Sequence, residues 1–283
     1  MINKILHKYL KLPYILTIKE FQSPKHPNAT VILLHGIGSS LSMWEPLGKS
    51  FPENVRVIGI DLLGFGHSPK PEWGRYHTKV QADSIATTLV RHRVSGPLVL
   101  VGHSLGSLVA IEFARRYSRS VRSLVLISPP IYMPDRNPKR FEPRPEEIIR
   151  KMYQLMAENP KATEKVLRLA GTYNLLNKGF RADTVDVPAY LATLDAAIIN
   201  QQSYRDILRL AQPIHIITGK LDALVIDATI KDIAKKRPNV KLTSVLGSHE
   251  IVGALRRATL KQIAIAINEA SPMRQDHLRD GDY

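Results

Sequence analysis

One serine is framed for nucleophilic chemistry. Ser104 lies in Gly102-His103-Ser104-Leu105-Gly106, directly after the apolar run 98–101 and before the helical pattern 107–117. A chain that reverses from strand to helix over so few residues needs small residues on both sides of the turn, and the two glycines supply them. This reading places Ser104 exposed at the end of the strand. Its Oγ would sit at the helix N-terminus, where the dipole favours developing negative charge. A serine hydroxyl is a weak nucleophile at neutral pH and needs a base. Of the ten histidines, His249 is the candidate. Its segment, Gly247-Ser248-His249-Glu250, follows the last strand-like run, at the carboxyl edge where α/β sheets gather their sites. The base needs a carboxylate to fix its tautomer and steady the imidazolium. Asp222 fits, in Gly219-Lys220-Leu221-Asp222 after the run 214–218. Asp135 and Asp227 are its rivals. Attack on a carbonyl creates an oxyanion, which requires donors already in place. The expected pair is the N–H of Leu105 and the N–H of Ile37 in His35-Gly36-Ile37-Gly38-Ser39, with Gly38 as runner-up for the second.

These residues need elements to hold them. Short apolar runs at 31–34, 55–60, 98–101, 121–127, 214–218 and 240–245 alternate with helical patterns at 80–92, 107–117 and 251–268, and 14–21 can form a further strand. Buried runs alternating with helices predict an α/β fold with a mainly parallel sheet covered on both faces. The alternation breaks after residue 127. Pro129, Pro130, Pro134, Pro138, Pro143 and Pro145 exclude regular helix or central strand there. From 145 to about 210 the pattern is helical without a strand. Ile148, Ile149, Met152, Tyr153 and Met156 form one stripe, and Val166, Leu167, Ala170 and Tyr173 another. A helical insertion at about 131–210 inside an α/β core is the expectation.

The 283 residues suffice for a large core. With 44% hydrophobic and 23% charged residues, the composition is ordinary for a globular protein and excludes disordered, collagenous and disulfide-scaffold classes. No apolar run approaches the ~20 residues of a spanning helix. The absence of cysteine removes disulfides, Cys-based metal sites and a Cys nucleophile. The 40 Lys and Arg against 25 Asp and Glu give a charge of +15, which suits polyanions in general. The basic pairs and triplets, Arg115-Arg116 and Lys235-Lys236-Arg237, fall at the ends of helical patterns, where cations complement the dipole. No nucleic-acid module accompanies them, and no specific nucleic-acid partner is expected.

Residues 1–12 read MINKILHKYLKL. Ile2, Ile5, Leu6, Tyr9 and Leu10 recur at helical spacing between Lys4, His7, Lys8 and Lys11. The unbroken apolar region of ~7–15 residues and the cleavage site of a secretory signal are missing, so a cytoplasmic location is expected. The segment is expected to pack on the domain or fray. The sharper alternative is a basic amphipathic helix on an anionic membrane surface.

Taken together, LLHGIGSSLSMW, DLLGFGHSPKP, VGHSLGS, TGKLDALV and GSHEI, in that order, resemble the α/β-hydrolase superfamily along nearly the whole chain. The resemblance implies a core at 1–130 and 211–270 and a helical cap at 131–210 inserted after the sixth strand; the polar tail at 271–283 is expected to be disordered from its composition. The resemblance makes Asp61 to Ser68 a structural loop near the pocket. It also implies a triad of Ser104, Asp222 and His249 acting without metal or cofactor on a small acyl substrate. Ser104 stands where epoxide hydrolases and haloalkane dehalogenases of this fold carry Asp. Glu250 stands where carbon–carbon bond hydrolases typically carry tryptophan, and HGIGS replaces the HGGPG of proline iminopeptidases. The expected reaction is therefore cleavage of a carboxylic ester or related acyl bond through an acyl-enzyme. The alternatives are a carbon–carbon bond hydrolase of a vinylogous diketone, a non-catalytic hydrolase-fold ligand-binding protein, and a basic surface-binding protein. Met152, Tyr153 and Met156 are read as core more than pocket lining. Trp44 and Phe65 are open between the two.

Overall fold

The fold was examined in a computed structural model, which describes residues 2–48, 50–133, 145–159, 162–163, 165 and 186–271. Among these, seven strands form one sheet in the order β1-β3-β2-β4-β5-β6-β7. They are β1 (Ile18–Gln22), β2 (Ala29–Leu34), β3 (Val55–Ile60), β4 (Leu98–His103), β5 (Val121–Ile127), β6 (Ile214–Gly219) and β7 (Val240–Val245). Only β1 runs antiparallel, against β3. The central strands are apolar on both faces. Val31, Leu33, Val99, Val101, Val125 and Ile127 point to one core, and Ile32, Leu34, Leu100, Leu124 and Leu126 to the other. That is the period-two alternation of a sheet buried on both sides. The register aligns the carboxyl ends: Leu34 pairs Gly102, His103 pairs Ile127, Ile127 pairs Ile217, and Gly219 pairs Val245.

The helices are α1 (Ile2–Lys4, continued by a π-helical turn Ile5–Tyr9), α2 (Thr78–Arg91), α3 (Leu105–Arg116), α4 (Pro145–Glu158), α5 (Val187–Thr193, continued by a π-helical turn Leu194–Ile199), α6 (Ser203–Ile207), α7 (Asp227–Lys236) and α8 (Gly253–Ala270). α2, α3 and α7 bury Ile85, Leu89, Leu108, Phe113, Ile230 and Ile233 on one face of the sheet. α8 covers the other face with Leu255, Ile263, Ala266 and Ile267. Arg115, Arg116, Lys235 and Lys236 occupy the last turns of α3 and α7, where they meet the carbonyl ends. None of the described helices is long and apolar enough to cross a membrane.

Two expectations need correction. β1 begins at Ile18, not at 14. The chain at 14–16 is extended but pairs with α2 side chains: the N–H of Tyr14 donates to Ser84 Oγ at 3.1 Å, and that of Leu16 to Thr88 Oγ1 at 2.9 Å. Shortening β1 leaves the strand count unchanged; among the described residues the insertion follows the fifth strand, where the resemblance implied the sixth. α4, α5 and α6 all lie between β5 and β6, and no strand occurs among the described residues there. Tyr153 and Met156 pack half-buried against the core. The side chains of Ile148, Ile149 and Met152, all of Asp135, Val166, Leu167, Ala170 and Tyr173, and the tail 272–283 lie outside the described residues.

The N-terminal segment is helical but only partly packed. His7 stacks on Tyr14 at 4.1 Å, whereas Ile5, Tyr9, Leu10 and Leu12 are exposed.

Candidate active site

The turn after β4 is tight. Ser104 has φ 51° and ψ −117°, a left-handed backbone conformation that L-residues adopt at a cost. Two hydrogen bonds hold it: Ser104 N–H donates to Ile127 O at 2.9 Å, and Ser107 N–H to Ser104 O at 2.9 Å. The flanking glycines have no room for a side chain. A Cβ on Gly102 would lie 2.3 Å from Gly106 O, and one on Gly106 would lie 2.2 Å from Leu34 O. Ser104 is not the exposed residue that was expected; it is 5% accessible. The loop after β2 explains this, because a Cβ on Gly36 would come within 3.3 Å of the Ser104 Cβ.

Asp222 and His249 meet across two loops. Asp222 follows β6 and His249 follows β7, and Nδ1–H of His249 donates to Asp222 Oδ2 at 2.8 Å. The loops approach because Gly219 has no side chain: a Cβ there would be 2.4 Å from the carbonyl oxygens of both Gly247 and Ser248. Leu221 N–H adds a bond to Gly247 O at 2.9 Å. The second oxygen of Asp222 accepts from Leu224 N–H at 2.9 Å. Burial pushes the Asp222 carboxyl up, but the hydrogen bond and charge of His249, with the Leu224 N–H, hold it below its ordinary value. Among the described residues no hydrogen bond joins His249 to Ser104; the link runs through the neighbouring residue. Nε2–H of His103 donates to the backbone carbonyl of His249 at 2.9 Å, with ring centroids 4.9 Å apart.

His103 was quoted in the serine motif but given no task by sequence reasoning. It is fully buried, and burial together with the nearby His249 and His35 pushes its pKa down to about 3. It is therefore neutral. With the proton on Nε2, its bare Nδ1 has no partner. His35 is also buried and held low by burial, against the opposing pull of the Gly36 carbonyl and Asp61. Its Nδ1–H donates to Gly36 O at 2.7 Å, and its Nε2 accepts from Leu62 N–H at 2.9 Å. It thereby braces the loop that carries Ile37. Among the described residues, neither Ile37 N–H nor Leu105 N–H takes part in a loop or turn hydrogen bond. Gly38 has φ 72°, which turns the chain past Ile37.

Asp61 is a structural residue. Its oxygens accept from Leu41 N–H at 2.7 Å and His67 N–H at 2.8 Å. Asp227 is in the first turn of α7 and pairs with Lys231 at 2.6 Å, away from His249. Trp44 and Phe65 are core residues, Trp44 under the sheet and Phe65 edge-on to His35. Glu250 is half-buried beside His249; burial and Asp222 raise its carboxyl, against His249. Among the described residues no His, Asp and Glu cluster is arranged to hold a metal.

Residues 29–252 match the family model described as alpha/beta hydrolase fold. The chain belongs to the α/β-hydrolase family. Among curated relatives it is 30% identical to the pimeloyl-[acyl-carrier protein] methyl ester esterase of Pseudoalteromonas atlantica, over 69% of this chain and 76% of that protein. It is 28% identical to the 2-(acetamidomethylene)succinate hydrolase of Mesorhizobium japonicum, over 82% of this chain and 86% of that one. Its match to the probable lysophospholipase BODYGUARD 4 of Arabidopsis thaliana is 34% identical over 41% of this chain, and spans only 28% of that relative. A crystal structure of E-2-(acetamidomethylene)succinate hydrolase superposes with a TM-score of 0.68 at 26% identity, covering 89% of this chain and 95% of that chain. This α/β hydrolase thus shares its architecture with hydrolases along most of its length.

Proposed function

We propose that this α/β hydrolase cleaves a carboxylic ester or related acyl bond through an acyl-enzyme on Ser104. The observation that carries the reading is the 2.8 Å bond from His249 Nδ1 to Asp222 Oδ2, formed beside a left-handed serine. With Nδ1–H given to the carboxylate, His249 Nε2 is the basic nitrogen. It takes the Ser104 proton as Oγ attacks the acyl carbon, then gives that proton to the leaving alcohol. Water repeats the sequence in reverse: His249 takes its proton, the acyl–Oγ bond breaks, and the proton returns to Ser104. Asp222 stays ionised throughout and steadies the imidazolium. The N–H groups of Ile37 and Leu105 receive the oxyanion of both tetrahedral species. The described helices between β5 and β6 would belong to a cap, the unit expected at about 131–210. Leu221, Leu224, Leu246 and Val252 are exposed apolar residues flanking Asp222 and His249, which suits an apolar acyl group. The likeness to a methyl ester esterase supports the same bond type.

The test is hydrolysis of p-nitrophenyl esters of increasing chain length by wild type and Ser104→Ala. Loss on the order of 10⁴-fold in the variant is expected, and the preferred chain length sizes the pocket. Wild type inert on every ester would overturn the ester reading. A variant with wild-type rates would overturn the nucleophile.

A further inference from the structure

Eleven large apolar side chains are exposed among the described residues, and five of them, Ile5, Tyr9, Leu10, Leu12 and Ile15, fall within eleven consecutive positions. They sit on an ordered hook. Leu10 N–H donates to Ile5 O at 3.0 Å and Leu12 N–H to Leu6 O at 3.0 Å, closing the helix. Lys11 turns the chain with φ 55°. The inner side of the hook is anchored: His7 stacks on Tyr14, and His7 Nδ1 bonds Leu12 O at 2.8 Å. Tyr9 and Leu10 are 66% and 61% accessible, so the anchoring leaves the apolar ridge uncovered.

The surroundings of the ridge are cationic. Lys4, Lys8 and Lys11 are exposed between its apolar residues. A cleft of about 830 Å³ opens beside the hook, and Arg75 and Lys79 line it together with Lys8 and Lys11. Its three acids each face an arginine: Glu112 holds Arg115 at 2.8 Å, Asp206 lies 3.8 Å from the same Arg115, and Asp83 holds Arg116 at 2.7 Å. Lys8, Lys11, Arg75 and Lys79 form no ion pair with another described residue. Ser104, Asp222 and His249 do not line this cleft.

Apolar side chains interleaved with lysines match one surface chemistry, a bilayer whose interface is oily and whose headgroups are anionic. We propose that the N-terminal hook docks this protein on an anionic lipid bilayer. Ile5, Tyr9, Leu10 and Leu12 enter the interface, and Lys4, Lys8 and Lys11, with Arg75 and Lys79 of the cleft, meet lipid phosphates. A folded polyanion such as nucleic acid would use the lysines but leave the ridge in water. A second copy of this chain would cover the ridge but oppose lysine to lysine.

The test is co-sedimentation of the full chain with vesicles of phosphatidylcholine alone and of phosphatidylcholine mixed with phosphatidylglycerol. Wild type is expected on the mixed vesicles only, with binding that weakens as salt is added. Replacing Lys4, Lys8 and Lys11 with Gln should weaken partition roughly fivefold per lysine, on the order of a hundredfold together. Tyr9→Ser with Leu10→Ser should weaken it at least tenfold at unchanged charge and unchanged unfolding midpoint, since both side chains are exposed. No binding to the mixed vesicles overturns the proposal. So does binding that the Tyr9 and Leu10 replacements leave intact, which would make it a general response to the +15 charge. Sedimentation velocity without lipid provides the remaining arm: a dimer abolished by those two replacements would assign the ridge to a second copy.

Discussion

The turn that holds Ser104 is set by what its neighbours cannot be. Any side chain at position 106 would overlap the Leu34 carbonyl oxygen at 2.2 Å, so Gly106→Ala must displace β2 or α3. That overpacking should cost roughly 1–3 kcal/mol, read as a lowered urea midpoint, with activity falling as the turn moves. Asp222→Asn tests the role proposed for the carboxylate in fixing the His249 tautomer. The amide presents an NH₂ or a carbonyl to His249 Nδ1 and no longer compensates the imidazolium, so kcat should fall on the order of 10³–10⁴-fold with KM little changed. A KM effect alone would mean that Asp222 binds substrate. At this scale the sequence displayed Ser104, Asp222 and His249 as candidates, because each stands in a glycine-marked loop after a strand, and the structure joins the last two by a hydrogen bond. The sequence did not display His103. That residue acts through the backbone carbonyl of His249, and a contact to backbone leaves no mark in the partner's identity. Nor could it show that Ser104 is covered, since the cover is the main chain of Gly36.

Among the elements, strands β3 and β5 start and stop where the apolar runs do, because nearly every residue is buried and polar or turn residues bound each run; β7, at the sheet edge, keeps its bounds with only Val240 buried. β1 behaves differently. Tyr14 and Leu16 have the alternation of a strand, yet their N–H groups go to Ser84 and Thr88, polar residues of α2 that look like surface positions in the sequence. Both hydroxyls lie in the buried core. Thr88→Val keeps the shape and removes the acceptor, leaving Leu16 N–H buried without a partner. The expected cost is about 1–3 kcal/mol, measurable by denaturant unfolding at an unchanged m-value. A cost near zero would mean that water reaches this N–H. The 3-10 helix Leu41–Leu47 was likewise illegible. Its stimulus is tertiary, since Asp61 caps Leu41 from across the sheet edge and Trp44 fills the core beneath.

For the whole molecule, the buried titratable groups predict how stability responds to acid. His103 and His35 are neutral in the fold, and their pKa values lie below the ordinary histidine value, that of His103 at about 3. At pH 7 both states carry neutral imidazoles there. As pH falls through 6.5 the unfolded chain takes up protons that the folded chain refuses, so stability is lost from that point downward. For His103 alone the loss should reach roughly 2 kcal/mol between pH 6.5 and pH 5, and His35 adds in the same direction. The carboxylates enter later. Asp222 and Glu269 are held below their ordinary values, by His249 and by His215 and Lys241 respectively, against the upward push of burial. Their contribution is complete above the ordinary carboxylate range and is lost as pH falls from that range through their lower values in the fold. Acid unfolding should therefore weaken the protein in two stages, the first set by neutral histidines behind the site and the second by its ion pairs. His103→Gln keeps a donor for the His249 carbonyl but cannot titrate. Thermal unfolding midpoints taken from pH 7 to pH 5 should fall less steeply in that variant than in wild type. Parallel slopes would show that His103 is protonated inside the folded protein, and that its bond to the His249 loop is not the neutral contact seen here.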